Sequence, residues 1–304
     1  MAIRYIDRIT KKEEIEKVYG RFFIEFLYGS NLIFRFFAYF LVRLICQIPF
    51  FSRLYGQIQK SSYSKKKIKP FIEEYHVDAT EFLEPIESFG SFNDFFIRKL
   101  KASVRPMNED LDTAVLPADA RYLAFSNIHN SEGYLIKGKK FSIEKLIGDA
   151  TVAHKYHFGS MVFARLCPVD YHRFHFPCNC TPSKPRLING ALFSVNPLAL
   201  KKNIDIVTEN KRMITELYTK NFGTVLYIEV GATYVGSIHQ TYTPEQHYAK
   251  GEEKGYFEFG GSMLILIFPP FSIELDQDLL AATQRGIEVR GLLGQSLGRA
   301  LPPI

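Results

Sequence analysis

The 304-residue chain carries 38 basic and 32 acidic side chains, a formal charge of +6, with 46% hydrophobic and 14% aromatic residues. That composition excludes a disordered or fibrous chain and suits one large domain with an appendage. The basic balance points to an anionic surface; with no helix-turn-helix, zinc-finger or aromatic RNA-binding signature, that surface is read as membrane, with no nucleic-acid partner.

The first residues, Met1-Ala2-Ile3-Arg4-Tyr5-Ile6-Asp7, lack the apolar stretch of a secretory signal. With only Cys46, Cys167, Cys178 and Cys180, the expectation is a reducing compartment. Residues 22 to 51 are dense in Phe, Leu and Ile, but Glu25, Arg35 and Arg43 leave no uncharged window near the roughly 18 residues of a spanning helix. Arg35, Tyr39, Arg43 and Gln47 recur every fourth position, which places them along one helical face, with Phe34, Phe37, Phe40, Leu41 and Leu44 turned elsewhere. The pattern predicts a helix lying in the headgroup layer, its arginines snorkelling to phosphates, followed by the basic run Lys65-Lys66-Lys67-Ile68-Lys69. A helical hairpin docked on the core beside a solvated lysine loop is the alternative.

Ser91-Phe92-Asn93-Asp94-Phe95-Phe96-Ile97-Arg98 reads as a capped helix start, with Ser91 or Asn93 offering the capping oxygen. Beyond Val115, apolar runs at Tyr134 to Ile136, Gly159 to Leu166, Val225 to Val230 and Leu264 to Phe268 are separated by Gly, Pro, Asn and Asp, which reads as strands. The expected class is therefore α+β: a mainly helical, membrane-contacting region over 1–110 preceding a β-rich core over 111–304.

Three segments of that core carry reactive residue types: Pro117-Ala118-Asp119-Ala120-Arg121, Asp170-Tyr171-His172-Arg173-Phe174-His175, and Gly260-Gly261-Ser262. A carboxylate, an imidazole and a hydroxyl are the parts of an oriented nucleophile. A glycine pair beside a serine between two strands can hold a strained backbone, although such pairs also mark simple bulges. His172 and His175 followed by Cys178 and Cys180 are also ligand types that zinc accepts, though Cys-x-Cys is tighter than the usual pair and no second cluster completes a site.

Together these segments resemble the phosphatidylserine decarboxylase family, the pyruvoyl-dependent enzymes of phospholipid synthesis. The Asp170 to His175 run is the most specific piece, and Gly260-Gly261-Ser262 stands where that family has its cleavage motif. Further matches are Phe92-Asn93-Asp94-Phe95-Phe96, Leu135-Ile136-Lys137-Gly138-Lys139, Ile188-Asn189-Gly190, Ser194-Val195-Asn196-Pro197, Val230-Gly231-Ala232 and Val235-Gly236-Ser237-Ile238, covering most of residues 90 to 300. Ile3 to Arg8 looks like the bacterial branch.

The resemblance implies that Ser262 attacks the Gly261 carbonyl, that the resulting ester eliminates to dehydroalanine, and that hydrolysis leaves a pyruvoyl group on residue 262. A zymogen would thus become a large (1–261) and a small (262–304) subunit. By the same analogy His175 activates Ser262, Asp119 orients and charge-stabilises His175, and His172 acts later near the substrate carboxylate. The pyruvoyl cofactor would form a Schiff base with phosphatidylserine and release CO2 to give phosphatidylethanolamine. The implied setting is peripheral, on the cytoplasmic face of the cell membrane, and a homodimer is compatible with it. Two departures stand out: Met263 where the family has threonine, and Ala120 where glycine commonly follows the aspartate. Two rival readings are a processing-defective lipid-binding protein of the same fold and a zinc-dependent hydrolase using His172, His175, Cys178 and Cys180.

Overall fold

The computed structural model describes residues 3–19, 56–131, 142–232, 238–260 and 262–302. The expected interfacial helix at 22 to 51, the Leu135 to Lys139 match, residues 235 to 237 and Gly261 lie outside the described residues.

The fold is α+β. Its main sheet runs in the order Glu13–Ile15, Arg4–Asp7, Glu288–Gly291, Ala120–Phe125, Ser160–Leu166, Ser262–Phe268, Thr224–Gly231, Arg212–Tyr218 and Thr181–Pro182, with Arg186–Ile188 also pairing Arg212–Tyr218. Ser160–Leu166 and Ser262–Phe268 are buried at every position, which explains why they read as unbroken apolar runs rather than as alternation. Their side chains nevertheless divide with period two. Leu166, Leu264, Leu266 and Tyr227 enter one core cluster, and Phe163, Met263, Ile265, Ile228 and Val230 enter another on the opposite face.

Across the first face lies a three-stranded sheet of Ile238–Gln240, Glu253–Phe257 and Arg173–His175, whose Phe174 and Phe257 complete that cluster. The other face is covered by short helices, among them Ile143–Ile147 and Pro197–Lys202, each begun by a polar cap from Ser142 or Asn196.

Residues before 110 are not all helical, because Arg4–Asp7 is a strand of the main sheet, pairing in parallel with Glu288–Gly291. Among the described residues before 110, Ile68, Phe71, Phe82, Phe89, Phe92, Phe95 and Phe96 form a third, aromatic cluster. Phe259, from the loop just before Ser262, packs into it. Burying each of these phenylalanines contributes roughly 1.5–3 kcal/mol, enough to fix this region against the core beside the loop.

Candidate active site

Ser262 opens the Ser262–Phe268 strand and is paired on both sides, opposite Gly231 and opposite Leu166. It is fully buried, and its Oγ has no hydrogen-bond partner among the described residues. Leaving a buried hydroxyl unsatisfied costs about 1–3 kcal/mol, so the position is held by its surroundings rather than by its own bonding. Gly260, two residues earlier, has φ +143°, a conformation that residues with a Cβ resist.

His172 is also fully buried, its ring lying 3.8 Å, centroid to centroid, from that of Phe96. Its Nδ1 is 2.9 Å from the Asp170 carbonyl oxygen and must donate to it, which leaves the lone pair on Nε2. Nε2 has no partner among the described residues. Burial pushes the imidazole pKa down to about 3, only partly opposed by the Asp170 carbonyl and carboxylate, so the ring is a neutral acceptor.

His175 sits on the same strand system, with its N–H donating to the Pro117 carbonyl at 2.8 Å, which joins the second predicted segment to the first. Its Nδ1 donates to the Gly251 carbonyl (2.9 Å), and its Nε2 is 3.3 Å from the Tyr171 hydroxyl. Burial lowers its pKa, with the charges of Glu253 and Asp119 among the opposing influences.

The Asp119 carboxylate accepts from the Arg105 guanidinium at Nε (3.0 and 3.1 Å, shared between both oxygens) and Nη2 (2.7 Å), and from the Leu293 N–H (2.9 Å). Arg105 in turn pairs with Glu81 at 2.8 Å. The orienting partner of the His175 ring is thus the Gly251 carbonyl, and Asp119 reaches that ring by its charge.

Along Glu253–Phe257, His175 stands opposite Glu253, while the His172 carbonyl accepts from the Phe257 N–H, further toward Ser262. The register therefore sets His172 nearer the loop that carries Ser262. Sequence reasoning missed Arg105 and, although Arg121 ends the first segment, gave Arg121 no role. Arg121 clasps the Asp170 carboxylate at 2.8 and 2.9 Å, and Asp170 also caps the Cys167 N–H, fixing the turn that aims His172. Neither arginine carried a local signal, since their partners lie 14 and 49 residues away.

Cys178 and Cys180 are buried, and burial pushes both thiols up, Cys180 to about 12. Among the described residues no three His, Cys, Asp or Glu side chains stand together as a metal-holding group, so these cysteines do not complete a zinc set with His172 and His175. No described helix is long and apolar enough to cross a membrane. Of the basic run, Lys65, Lys66 and Lys69 are exposed beside Tyr63, on the short helices Ser62–Lys67 and Ile68–Tyr75.

Ser262 Oγ and His172 Nε2, both buried and without a partner among the described residues, are a hydroxyl and a neutral ring nitrogen of the kinds that the cleavage motif implies. The family profile described as phosphatidylserine decarboxylase matches residues 92–299. A protein of Chlamydia pneumoniae named phosphatidylserine decarboxylase proenzyme is 49% identical over 297 residues, covering 98% of this chain and 97% of its own. Proteins of the same name from Chlamydia caviae and Chlamydia trachomatis serovar D are 50% and 44% identical over 299 residues, covering 98% and 97% of this chain and 98% and 96% of their own. With the family profile matching most of the chain and the relatives agreeing over nearly all of it, the chain belongs to the phosphatidylserine decarboxylase family.

Proposed function

We propose that the chain is a proenzyme that cuts itself between Gly261 and Ser262 and, once cut, decarboxylates phosphatidylserine to phosphatidylethanolamine. The observation that carries this reading is the Ser262 Oγ, buried without a partner among the described residues at the head of a strand fixed on both sides.

Self-cleavage begins when the Oγ proton passes to an imidazole and Oγ bonds to the carbonyl carbon of residue 261. The C–N bond breaks, the nitrogen of residue 262 takes the proton, and an ester remains. Removal of the Cα proton of residue 262 then expels the carboxylate of residue 261. Water adds to the resulting dehydroalanine and ammonia leaves, giving the pyruvoyl group. His175 serves as the base by exchanging its long Tyr171 contact, and Asp119, locked by Arg105, stabilises the imidazolium through its charge.

The pyruvoyl carbonyl supplies the electron sink that ordinary side chains lack. The chain's own contribution to the lipid reaction is His172, whose Nε2 lone pair is held in a dry setting where it can take and return a proton. The mature enzyme rests peripherally on the cytoplasmic face of the membrane, with Lys65, Lys66 and Lys69 meeting the anionic lipid.

Met263 does not favour the processing-defective alternative. Its side chain lies in the core cluster on the face opposite that of Leu264 and Leu266, so the departure from threonine removes no hydroxyl from the face that register assigns to Ser262.

Intact-mass measurement of the purified protein tests the reading. Residues 262–304, which number 43 (304 − 261), are expected as a separate fragment blocked by a pyruvoyl group, with CO2 released from phosphatidylserine vesicles. A single uncut chain overturns it.

A further inference from the structure

The short helix Phe92–Phe96 has two residues able to cap it, and the structure assigns them different tasks. Ser91 is the cap, its Oγ accepting from the Asp94 N–H at 3.1 Å. Asn93, buried within the aromatic cluster, turns its Oδ1 to the N–H of Phe259, 3.1 Å away and 166 residues along the chain.

Phe259 is held by its ring as well, 4.9 Å from Phe96, 5.2 Å from Phe92 and 6.1 Å from Tyr19, centroid to centroid. Its neighbour Glu258 is tied to Lys60 at 2.7 Å. Three residues after Phe259, Ser262 is fixed by strands on both sides. Three peptide steps span at most roughly 10–11 Å, so a chain anchored at 259 and at 262 has little slack between those points. Gly260, at φ +143°, already takes a conformation that a side chain would strain.

We propose that Asn93 is a positioning residue for self-processing: by fixing the backbone at Phe259 it presents the carbonyl of residue 261 to Ser262. The proposal rests on the self-cleavage reading above. Asn93 touches no reacting atom and acts only through the chain it holds, so its removal lowers the rate of scission without altering the chemistry of an enzyme already cut.

The test follows cleavage of the full-length chain in time, together with decarboxylation per pyruvoyl-bearing chain and thermal unfolding. Asn93→Ala is expected to slow cleavage roughly ten- to a hundredfold, the effect of losing one well-placed buried acceptor, while turnover per pyruvoyl stays within a factor of about three. Asn93→Asp keeps an acceptor at the same place and is expected to recover most of the rate. Phe259→Ala keeps the N–H but removes the ring anchor, and it should slow cleavage in the same selective way. Wild-type cleavage rates in both Asn93→Ala and Phe259→Ala overturn the proposal. So does an equal loss of cleavage and of turnover per pyruvoyl, tracking a fall in melting temperature and unrelieved by Asn93→Asp. Failure of the wild-type chain to cut is a different result, which removes the self-cleavage reading itself.

Discussion

Glu229 and Lys254 form an ion pair with neither side chain exposed, Oε1 and Nζ lying 2.5 Å apart between the main sheet and the three-stranded sheet. The ammonium also donates to Thr215 Oγ1 (3.1 Å) and Gln240 Oε1 (2.8 Å) and sits 4.8 Å from the ring centres of Tyr227 and Tyr242. Every donor of the lysine is used, whereas Glu229 Oε2 has no partner among the described residues. Burial opposes both charges, raising the carboxyl pKa and lowering that of the ammonium.

Breaking that pair strands a charge in an apolar setting. Lys254→Met or Glu229→Leu alone is expected to destabilise the fold by about 3–5 kcal/mol, and the double replacement to come within about 1 kcal/mol of wild type or above it. Urea unfolding of the four proteins provides the comparison, with additive losses in the double variant as the contrary result.

Ser262→Ala is expected to abolish both scission and decarboxylation, because no hydroxyl remains to attack or to become the ketone. His175→Ala should chiefly stop scission. His172→Ala should leave scission largely intact and depress turnover, by roughly the 10²- to 10⁴-fold of a lost acid–base group. Fragment yield by mass and CO2 release per pyruvoyl separate the two steps, and equal losses in both for His172→Ala would refute that division.

The depressed pKa of His172 makes stability depend on pH. Folded, the ring resists protonation down to about pH 3; unfolded, it protonates near its ordinary value of 6.5. Below 6.5 the unfolded chain therefore binds a proton that the folded chain does not. The contribution is complete above pH 6.5 and is lost as the pH falls from there toward 3. His172→Gln should flatten the fall in unfolding free energy between pH 7 and 5 relative to wild type, and parallel curves would contradict the assignment.

Arg105→Met leaves the Asp119 and Glu81 carboxylates facing each other without their shared cation. A loss of about 3 kcal/mol or more in stability is expected, together with slower scission because the charge beside His175 is no longer fixed. Arg105→Lys should restore only part of both, since an ammonium lacks the planar fork that binds two carboxylates at once.

Replacing Lys65, Lys66 and Lys69 together by glutamate should weaken binding to phosphatidylserine vesicles by roughly a hundredfold or more at low salt, at about 1 kcal/mol per lost lysine. The difference should shrink as salt is added. Vesicle sedimentation measures it, and unchanged binding would move the membrane contact elsewhere.

Much of the fold was legible where local pattern and tertiary role coincide. The runs Gly159 to Leu166 and Leu264 to Phe268 became the central strands because residues buried on both faces must all be apolar. The Asp170 to His175 run stood out in the sequence because its polar and aromatic residue types are packed into a few positions. What stayed hidden depends on distant partners. Nothing in Ile3 to Arg8 betrays a parallel strand whose neighbour begins at Glu288. Asn93 looked as good a cap as Ser91, and only the return of Phe259 to the same helix distinguishes them. Asp119 was visible as a carboxylate, but its clasp by Arg105 decides whether it touches an imidazole or acts on it from a distance.

The location of the scission also governs what becomes of the two pieces. The proposed break would fall at the first residue of an interior strand laced by hydrogen bonds to Thr224–Gly231 on one flank and Ser160–Leu166 on the other. The same short piece supplies Glu288–Gly291 to the main sheet and Ser296–Ala300 to a small three-stranded one. A molecule nicked there would be a permanent, non-covalent heterodimer whose halves separate only by unravelling the core, and neither half is expected to fold if it is made alone.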